Sequence, residues 1–246
     1  MNPPLIAALA LTGLAVAWPQ RAVIRRYTVP DGEPPACPSC GAASSWPRAL
    51  SALGRFGPRV PSRCPACGTR AGPPTLLIAA VMAILLGALA ARVHPGLVLA
   101  AACWLAACAV PLAFVDAAVR RLPDVLTGSA FAGTVLLLLA AAAADGTWPG
   151  LARAVLGGIA LSGFYLVLAV ISPAGMGLGD VKAAAGLGSM LAWRGWSALV
   201  AGGLAGFGFA AVYGTALLIS GRAARKQQIP FGPFMIAGAF LAVLLS

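Results

Sequence analysis

Gly175-Met176-Gly177-Leu178-Gly179-Asp180 places an aspartate behind three glycines, at the start of an apolar segment. Charge is scarce in this chain, which carries only six acidic residues among 246. An aspartate at the centre of a bilayer costs about 2.5–3.5 kcal/mol on insertion scales, so one at membrane depth indicates a functional group. We expect the glycines to allow backbone conformations closed to other residues and the close approach of a substrate chain. The stretch therefore predicts a catalytic carboxylate at Asp180.

The composition around this stretch is that of a protein dissolved in lipid. The chain is 60% hydrophobic and 9% charged, with a mean hydropathy of +0.91, which is outside the range of soluble domains. Most apolar runs approach the ~20 residues that a spanning helix needs. We therefore predict an all-α polytopic membrane protein with about eight transmembrane helices, at roughly 4–18, 75–91, 96–115, 125–144, 151–172, 181–193, 196–220 and 229–245.

The segment 19–73 is the one sizeable polar insertion, and it divides the chain into a first helix (1–18), a small polar domain (19–73) and a membrane domain (74–246). Its many arginines place it in the cytosol by the positive-inside rule. The net charge of +11 lies in short stretches between apolar runs, so no nucleic-acid partner is expected. A cleaved signal peptide at the N-terminus is the less favoured alternative, because basic residues follow the first run and none precedes it.

Two matching cysteine turns lie in the polar domain, Cys37-Pro38-Ser39-Cys40-Gly41 and Cys64-Pro65-Ala66-Cys67-Gly68. Turns of this kind direct two thiolates to one point, and four thiolates form the closed tetrahedral site of structural Zn²⁺. A pair of disulfides is the alternative, which a reducing cytosol disfavours. The spacing therefore predicts a four-cysteine zinc site whose metal stabilises a domain too polar to build a large core.

Asp116 is a second carboxylate at the end of an apolar run, in Phe114-Val115-Asp116-Ala117-Ala118. Following the predicted helices through the membrane places Asp116 and Asp180 on the same, cytosolic face. Two carboxyl groups held close together do not both ionise readily, so one keeps a proton while the other activates water. The pair is a candidate aspartyl dyad for peptide-bond hydrolysis.

Structural roles for these charged residues remain open at this point. Asp116 and Asp124 are also placed to cap helices or to pair with the arginines at 120–121. Asp180 is placed to cap the helix that follows it. Lys182 either tunes a carboxylate or only marks the cytosolic side.

In combination, four motifs resemble the type IV prepilin peptidases, the bacterial membrane aspartyl proteases that remove the leader from prepilins. They occur in that family's order and approximate spacing over most of the chain. They are the two cysteine turns, Asp116-x6-Pro123-Asp124, Gly177-Leu178-Gly179-Asp180-Val181-Lys182 and Pro230-Phe231-Gly232-Pro233.

The resemblance implies that Asp116 and Asp180 are the catalytic pair, with supporting positions at Gly177, Gly179, Asp124 and Lys182. It implies a multi-pass protein of the bacterial inner (cytoplasmic) membrane and, as partners, prepilin or pilin-like precursors of the type IV pilus. Their short basic leader would be cut on the cytosolic side, just after a glycine and before the apolar stem of the mature pilin.

Many long members of that family also methylate the new N-terminus with S-adenosylmethionine, and the cysteine domain is typical of those members. Two segments of this chain depart from their pattern, Ala15-Val16-Ala17-Trp18-Pro19-Gln20 and Gly72-Pro73-Pro74-Thr75-Leu76. Cleavage is therefore the firmer expectation, methylation is an additional one, and no residue is assigned to the cofactor.

Two other functions compete with prepilin cleavage. A different intramembrane aspartyl protease would share the Gly-x-Gly-Asp stretch, but the cysteine turns and the Pro-Phe-Gly-Pro segment favour the prepilin peptidases. A transporter or membrane scaffold would use Asp116 and Asp180 to handle protons or cations. Transport predicts ion flux without proteolysis, which separates it from both proteases.

Overall fold

The computed structural model describes residues 2–28, 40–41, 64, 66–69, 72–172, 175–221 and 230–246. Over these ranges the chain forms eight α-helices and no strand, so the all-α prediction is confirmed. The helices are α1 (Pro3–Tyr27), α2 (Thr75–Arg92), α3 (Leu97–Val119), α4 (Asp124–Asp145), α5 (Trp148–Ile171), α6 (Leu178–Arg194), α7 (Trp196–Ile219) and α8 (Gly232–Leu245).

Six of the eight described helices, α1 to α5 and α7, are long and apolar enough to cross a membrane. The other two are shorter, because α6 has 17 residues and α8 has 14. At 1.5 Å per residue α6 is about 26 Å long, against a hydrocarbon core of about 30 Å. A multi-pass membrane protein is therefore confirmed, with two helices that reach only part of the way across a bilayer of that thickness.

The first helix differs from its prediction, because it continues through Pro19 to Tyr27. A proline inside a helix removes one backbone hydrogen bond, and in membrane helices neighbouring side chains commonly compensate. The residues after Pro19 have tertiary partners, since the Arg21 side chain donates to Thr75 Oγ1 at 3.0 Å and Ile24 is fully buried. The predicted end of the first helix at residue 18 is therefore nine residues too early.

Gln20 shows how the bundle tolerates a second internal proline. Pro111 lies inside α3 and has no N–H to donate to the carbonyl of Ala107, one turn earlier. The Gln20 side-chain amide donates to that carbonyl, with 3.2 Å between Nε2 and O. Gln20 is 4% exposed, so a buried polar side chain of α1 supplies the hydrogen bond that α3 cannot make for itself.

Gln20→Leu is expected to lower the free energy of unfolding by about 1–2 kcal/mol, because it leaves the Ala107 carbonyl without a donor. Pro111→Ala restores a backbone N–H at the position that bonds this carbonyl. In the Pro111→Ala background the cost of Gln20→Leu should therefore nearly vanish. The measurement is a double-mutant cycle of unfolding in detergent, and an equal cost in both backgrounds would contradict this account.

Helices α5 and α6 form an antiparallel pair that positions the candidate site. At one end, Arg153 of α5 donates from Nε to the Ala192 carbonyl at 2.6 Å and from an Nη to the Trp193 carbonyl at 2.7 Å. These are two of the carbonyls that the end of α6 leaves without helical donors. Towards the other end, the Ser162 hydroxyl donates to the Val181 carbonyl at 3.0 Å. The start of α6 is thereby held against the last turns of α5.

Candidate active site

Asp116 lies at the end of α3 and is 5% exposed. Its Oδ2 accepts a hydrogen bond of 2.9 Å from the backbone N–H of Gly232, the first residue of α8. The first N–H groups of a helix have no partner within it, and the helix dipole favours a negative charge beside them. Because Pro233 has no N–H to offer, Gly232 is the donor of this helix start, and Asp116 caps it from another helix.

Asp180 occupies the first turn of α6 and is 7% exposed. Its Oδ2 accepts a 3.1 Å hydrogen bond from the backbone N–H of Gly177, which precedes the helix. This is the returning half of a capping box, so Asp180 helps to cap α6 from the N3 position, while Gly177 occupies the N-cap position considered for Asp180 from the sequence. The second oxygen, Oδ1, is buried and has no hydrogen-bond partner among the described residues.

The structure brings the two predicted carboxyl groups together, close enough to interact electrostatically. Each has one oxygen fixed by a glycine N–H at the start of a short helix, Asp116 by Gly232 and Asp180 by Gly177. Two buried carboxyl groups that interact in this way repel each other when both are ionised. The arrangement is chemically suited to paired acid and base catalysis.

The glycines before Asp180 play a different part from the one expected. None of Gly175, Gly177 and Gly179 is among the described glycines of positive φ, so the expectation of backbone conformations closed to other residues is wrong. Gly179 instead permits a close contact, because a Cβ there would lie 2.8 Å from the Leu122 Cβ. The turn between α3 and α4 therefore fills the space beside Gly179 that was expected to admit a substrate chain.

Asp124 and Lys182 pair with each other at the rim of the site. The Lys182 Nζ lies 2.7 Å from Asp124 Oδ1, and their side chains are 52% and 72% exposed, respectively. An ion pair this exposed contributes little to stability, about 0–1 kcal/mol. Its geometric effect is to join the first residue of α4 to the N-terminal part of α6.

Two residues at this site were not singled out from the sequence. Gly232 belongs to the Pro-Phe-Gly-Pro segment, whose order in the chain gave no indication that its N–H would bind Asp116. Tyr165 lies within an apolar run of α5 and is fully buried, with its hydroxyl unpartnered among the described residues. The scarcity of tyrosine could have drawn attention to this residue, because the whole chain has three tyrosines.

Three of the four predicted zinc ligands converge at one point. The Sγ atoms of Cys40, Cys64 and Cys67 all lie within 4.8 Å of one another, and the first two are 3.7 Å apart. A tetrahedral Zn²⁺ with Zn–S bonds of about 2.3 Å separates its sulfurs by about 3.8 Å, so these thiols fit that metal. The predicted fourth ligand, Cys37, lies outside the described residues.

Two backbone hydrogen bonds close the turn around Cys64. The Gly68 N–H donates to the Cys64 carbonyl at 2.8 Å, and the Cys64 N–H donates to the Thr69 carbonyl at 2.8 Å. Gly68 has a φ of +71° and the matching Gly41 a φ of +66°, which glycine adopts without strain. The two cysteine turns thus share a left-handed glycine directly after their second cysteine.

Comparisons with known proteins match this chain to one family. The model of the type IV leader peptidase family matches residues 99–245. A curated "Prepilin leader peptidase/N-methyltransferase" of Aeromonas salmonicida is 33% identical over 68% of this chain and 57% of its own length. The protein of that name in Burkholderia pseudomallei is 32% identical over 82% of this chain and 64% of its own.

A shorter match carries the same name. The Bacillus subtilis protein is 38% identical over 33% of this chain and 32% of its own length. In each of these three comparisons the matched region is less than two thirds of the relative. No solved structure matches the chain.

Proposed function

The chain belongs to the type IV leader peptidase family, and from this membership we propose that it cleaves the leader from type IV pilin-like precursors with Asp116 and Asp180 as its catalytic pair. The observation that carries the proposal is the meeting of two buried carboxyl groups from separate helices, each fixed by a glycine N–H. The relatives' printed names, prepilin leader peptidase/N-methyltransferase, indicate the substrate class.

The proposed reaction uses one ionised and one protonated carboxyl group. The ionised group accepts a proton from a water molecule as its oxygen attacks the scissile carbonyl carbon, and the protonated group donates to the carbonyl oxygen. The tetrahedral intermediate then collapses as a proton passes to the leaving amine. The Gly177 and Gly232 N–H groups each hold one oxygen of a carboxyl group, which fixes the orientation of both groups.

We propose that cleavage takes place at the cytosolic boundary of the bacterial inner membrane. The basic residues beside the site, at 120–121 and 182, belong on the cytosolic side by the positive-inside rule. An apolar pilin stem lying in the membrane would present its boundary, and therefore the bond after its basic leader, to the carboxyl pair. The zinc-binding segment 19–73 would lie on the same side.

The test is a cleavage assay with purified full-length protein and a type IV prepilin, both in detergent or in vesicles. We expect a product whose new N-terminus, read by mass spectrometry, follows the leader's last glycine. Absence of cleavage by the wild-type protein would contradict the proposed function. Proton or cation flux in the same vesicles, lost in Asp180→Asn, would favour the transporter instead.

We also propose that Cys37, Cys40, Cys64 and Cys67 bind one structural Zn²⁺. The convergence of three sulfurs at spacings that suit a tetrahedral site supports this proposal. Four thiolate ligands leave no coordination position open, so the metal would organise the 19–73 segment and take no part in cleavage.

Cys64→Ser is expected to reduce bound zinc from about one ion per chain to near zero, because structural sites depend on the complete ligand set. Zinc is measured by elemental analysis of purified protein. Cys103→Ser, in α3, is the matched control and should keep its zinc. Full zinc content in both variants, or release of Cys40 and Cys64 thiols only after reduction, would refute the zinc site.

N-methylation of the new N-terminus is proposed from the relatives' names alone. No described residue is assigned to S-adenosylmethionine, so no step is derived through that cofactor. Labelled S-adenosylmethionine added to the cleavage assay tests this activity, which a label on the mature N-terminus would establish and an unlabelled cleaved product would exclude.

A further inference from the structure

Tyr165 is a buried polar residue that the proposed reaction has not yet used. Its side chain is fully buried within α5, and its hydroxyl has no hydrogen-bond partner among the described residues. Asp180 Oδ1 is buried and lacks a partner in the same way. Buried polar atoms in folded proteins are nearly always hydrogen-bonded. One of these atoms belongs to a donor group and the other is an acceptor, so a single water molecule between them can satisfy both.

The pairing of α5 with α6 places Tyr165 and Asp180 at the same height along the two helix axes. The helices run antiparallel, with Arg153 bonded to the Ala192 carbonyl at one end and Ser162 bonded to the Val181 carbonyl nearer the other. Moving three residues along α5 from Ser162 advances about 4.5 Å towards the start of α6. Tyr165 therefore lies beside the first turn of α6, where Asp180 is located, and the two groups interact electrostatically.

The tyrosine ring also contacts the segment that holds Asp116. It packs edge-on against Phe231, with 5.7 Å between ring centroids and an interplanar angle of 86°. It packs similarly against Phe207 on α7, at 5.6 Å and 69°. Phe231 directly precedes Gly232, the donor to Asp116. Aromatic neighbours therefore fix the Tyr165 ring between the first turn of α6, which contains Asp180, and the segment whose Gly232 binds Asp116.

We propose that Tyr165 is a positioning residue, whose hydroxyl donates a hydrogen bond to a water molecule that in turn donates to Asp180 Oδ1. This inference rests on the proposed function and adds a donor to it. A hydrogen bond to a carboxylate favours its ionised form. Tyr165 would thus hold Asp180 in orientation and help to keep the carboxyl pair in its singly protonated state at neutral pH.

Several other groups share the electrostatics of this site, and the test must allow for them. Asp116 on α3 interacts electrostatically with Asp180, and Arg120, directly after α3, interacts electrostatically with Asp116. The Asp124–Lys182 pair of α4 and α6 lies at the exposed rim. Helix α8 carries no titratable side chain, and the tyrosine of α7, Tyr213, is 45% exposed.

Tyr165→Phe removes the hydroxyl and keeps the ring packing. In the prepilin assay we expect kcat to fall about 10-fold to 100-fold with little change in KM, as for loss of a hydrogen bond to a charged group. The acid limb of the pH–rate profile should move to higher pH by about one unit, because the ionised carboxylate loses a donor. Tyr213→Phe is the matched control and should leave both unchanged, since Tyr213 is 45% exposed and its ring packs against Phe234.

A second measurement is independent of cleavage. The titration of the protonated Asp180 carboxyl is followed by infrared spectroscopy, with Asp180→Asn to assign its band. A midpoint moved to higher pH in Tyr165→Phe but not in Tyr213→Phe supports the hydrogen bond, and an unmoved midpoint overturns it. A wild type that does not cleave prepilin contradicts the proposed function, while the titration still decides the role of Tyr165.

Discussion

Replacing Asp180 or Asp116 with asparagine is expected to lower the rate of leader cleavage by about 10²-fold to 10⁴-fold, the range that general acid–base groups contribute. Asparagine keeps the size of the side chain and one oxygen that can accept from Gly177 or Gly232. It cannot take up the proton of the attacking water or return one to the leaving amine. Both variants should therefore fold as the wild type does and lose activity.

The effects of the two substitutions on the cleavage rate should not be additive. Groups that act as one unit lose nearly all of their effect when the first is removed. The Asp116→Asn/Asp180→Asn double variant should therefore be about as slow as the slower single variant. Rates are measured at saturating prepilin, with intact folding checked by thermal unfolding in the same detergent.

Asp145→Asn supplies the matched control for these variants. Asp145 is the last residue of α4 and is exposed, so its loss should leave cleavage unchanged. Asp124→Asn should lower the cleavage rate only slightly, because it removes only an exposed ion pair with Lys182. Wild-type rates in either Asp116→Asn or Asp180→Asn would disprove the dyad.

The helices could largely be predicted from the sequence, because most of them are built around an apolar run with polar or Gly/Pro-rich boundaries. The main error was at Pro19, which ends the apolar run without ending the helix. Tertiary hydrogen bonds stabilise α1 beyond Pro19, since Gln20 bonds the Ala107 carbonyl 87 residues away and Arg21 bonds Thr75. Hydropathy along the chain contains no information about such partners.

Part of the candidate site could likewise be predicted from the sequence, and part could not. Asp116 and Asp180 could be identified because charges are rare in this chain and the predicted crossings place both on one face. Their donors could not be assigned, because Gly232 lies 116 residues from Asp116 in sequence and acts through its backbone, which the residue type does not reveal. Gly179 was identified for the wrong reason, since its small size serves the packing of Leu122.

Gly232→Ala is expected to lower cleavage by about 10²-fold, the cost typical of displacing a catalytic group by about 1 Å. A Cβ at this position would lie 2.8 Å from Asp116 Oδ2 and 3.1 Å from its Cγ, closer than real side chains pack. The carboxyl group must therefore rotate or retreat, and its hydrogen bond from the Gly232 N–H would be distorted. The measurement is kcat/KM for prepilin cleavage.

This loss should appear with little loss of stability, which distinguishes displacement of Asp116 from general disruption. Alanine is a better helix former than glycine, and the atoms it meets first belong to a single side chain. Gly128→Ala is the control within α4, because a Cβ there meets nothing within 4 Å. If Gly232→Ala cleaves as fast as Gly128→Ala, then Asp116 tolerates displacement, and the fixed geometry that supports the two-carboxyl mechanism is not required for it.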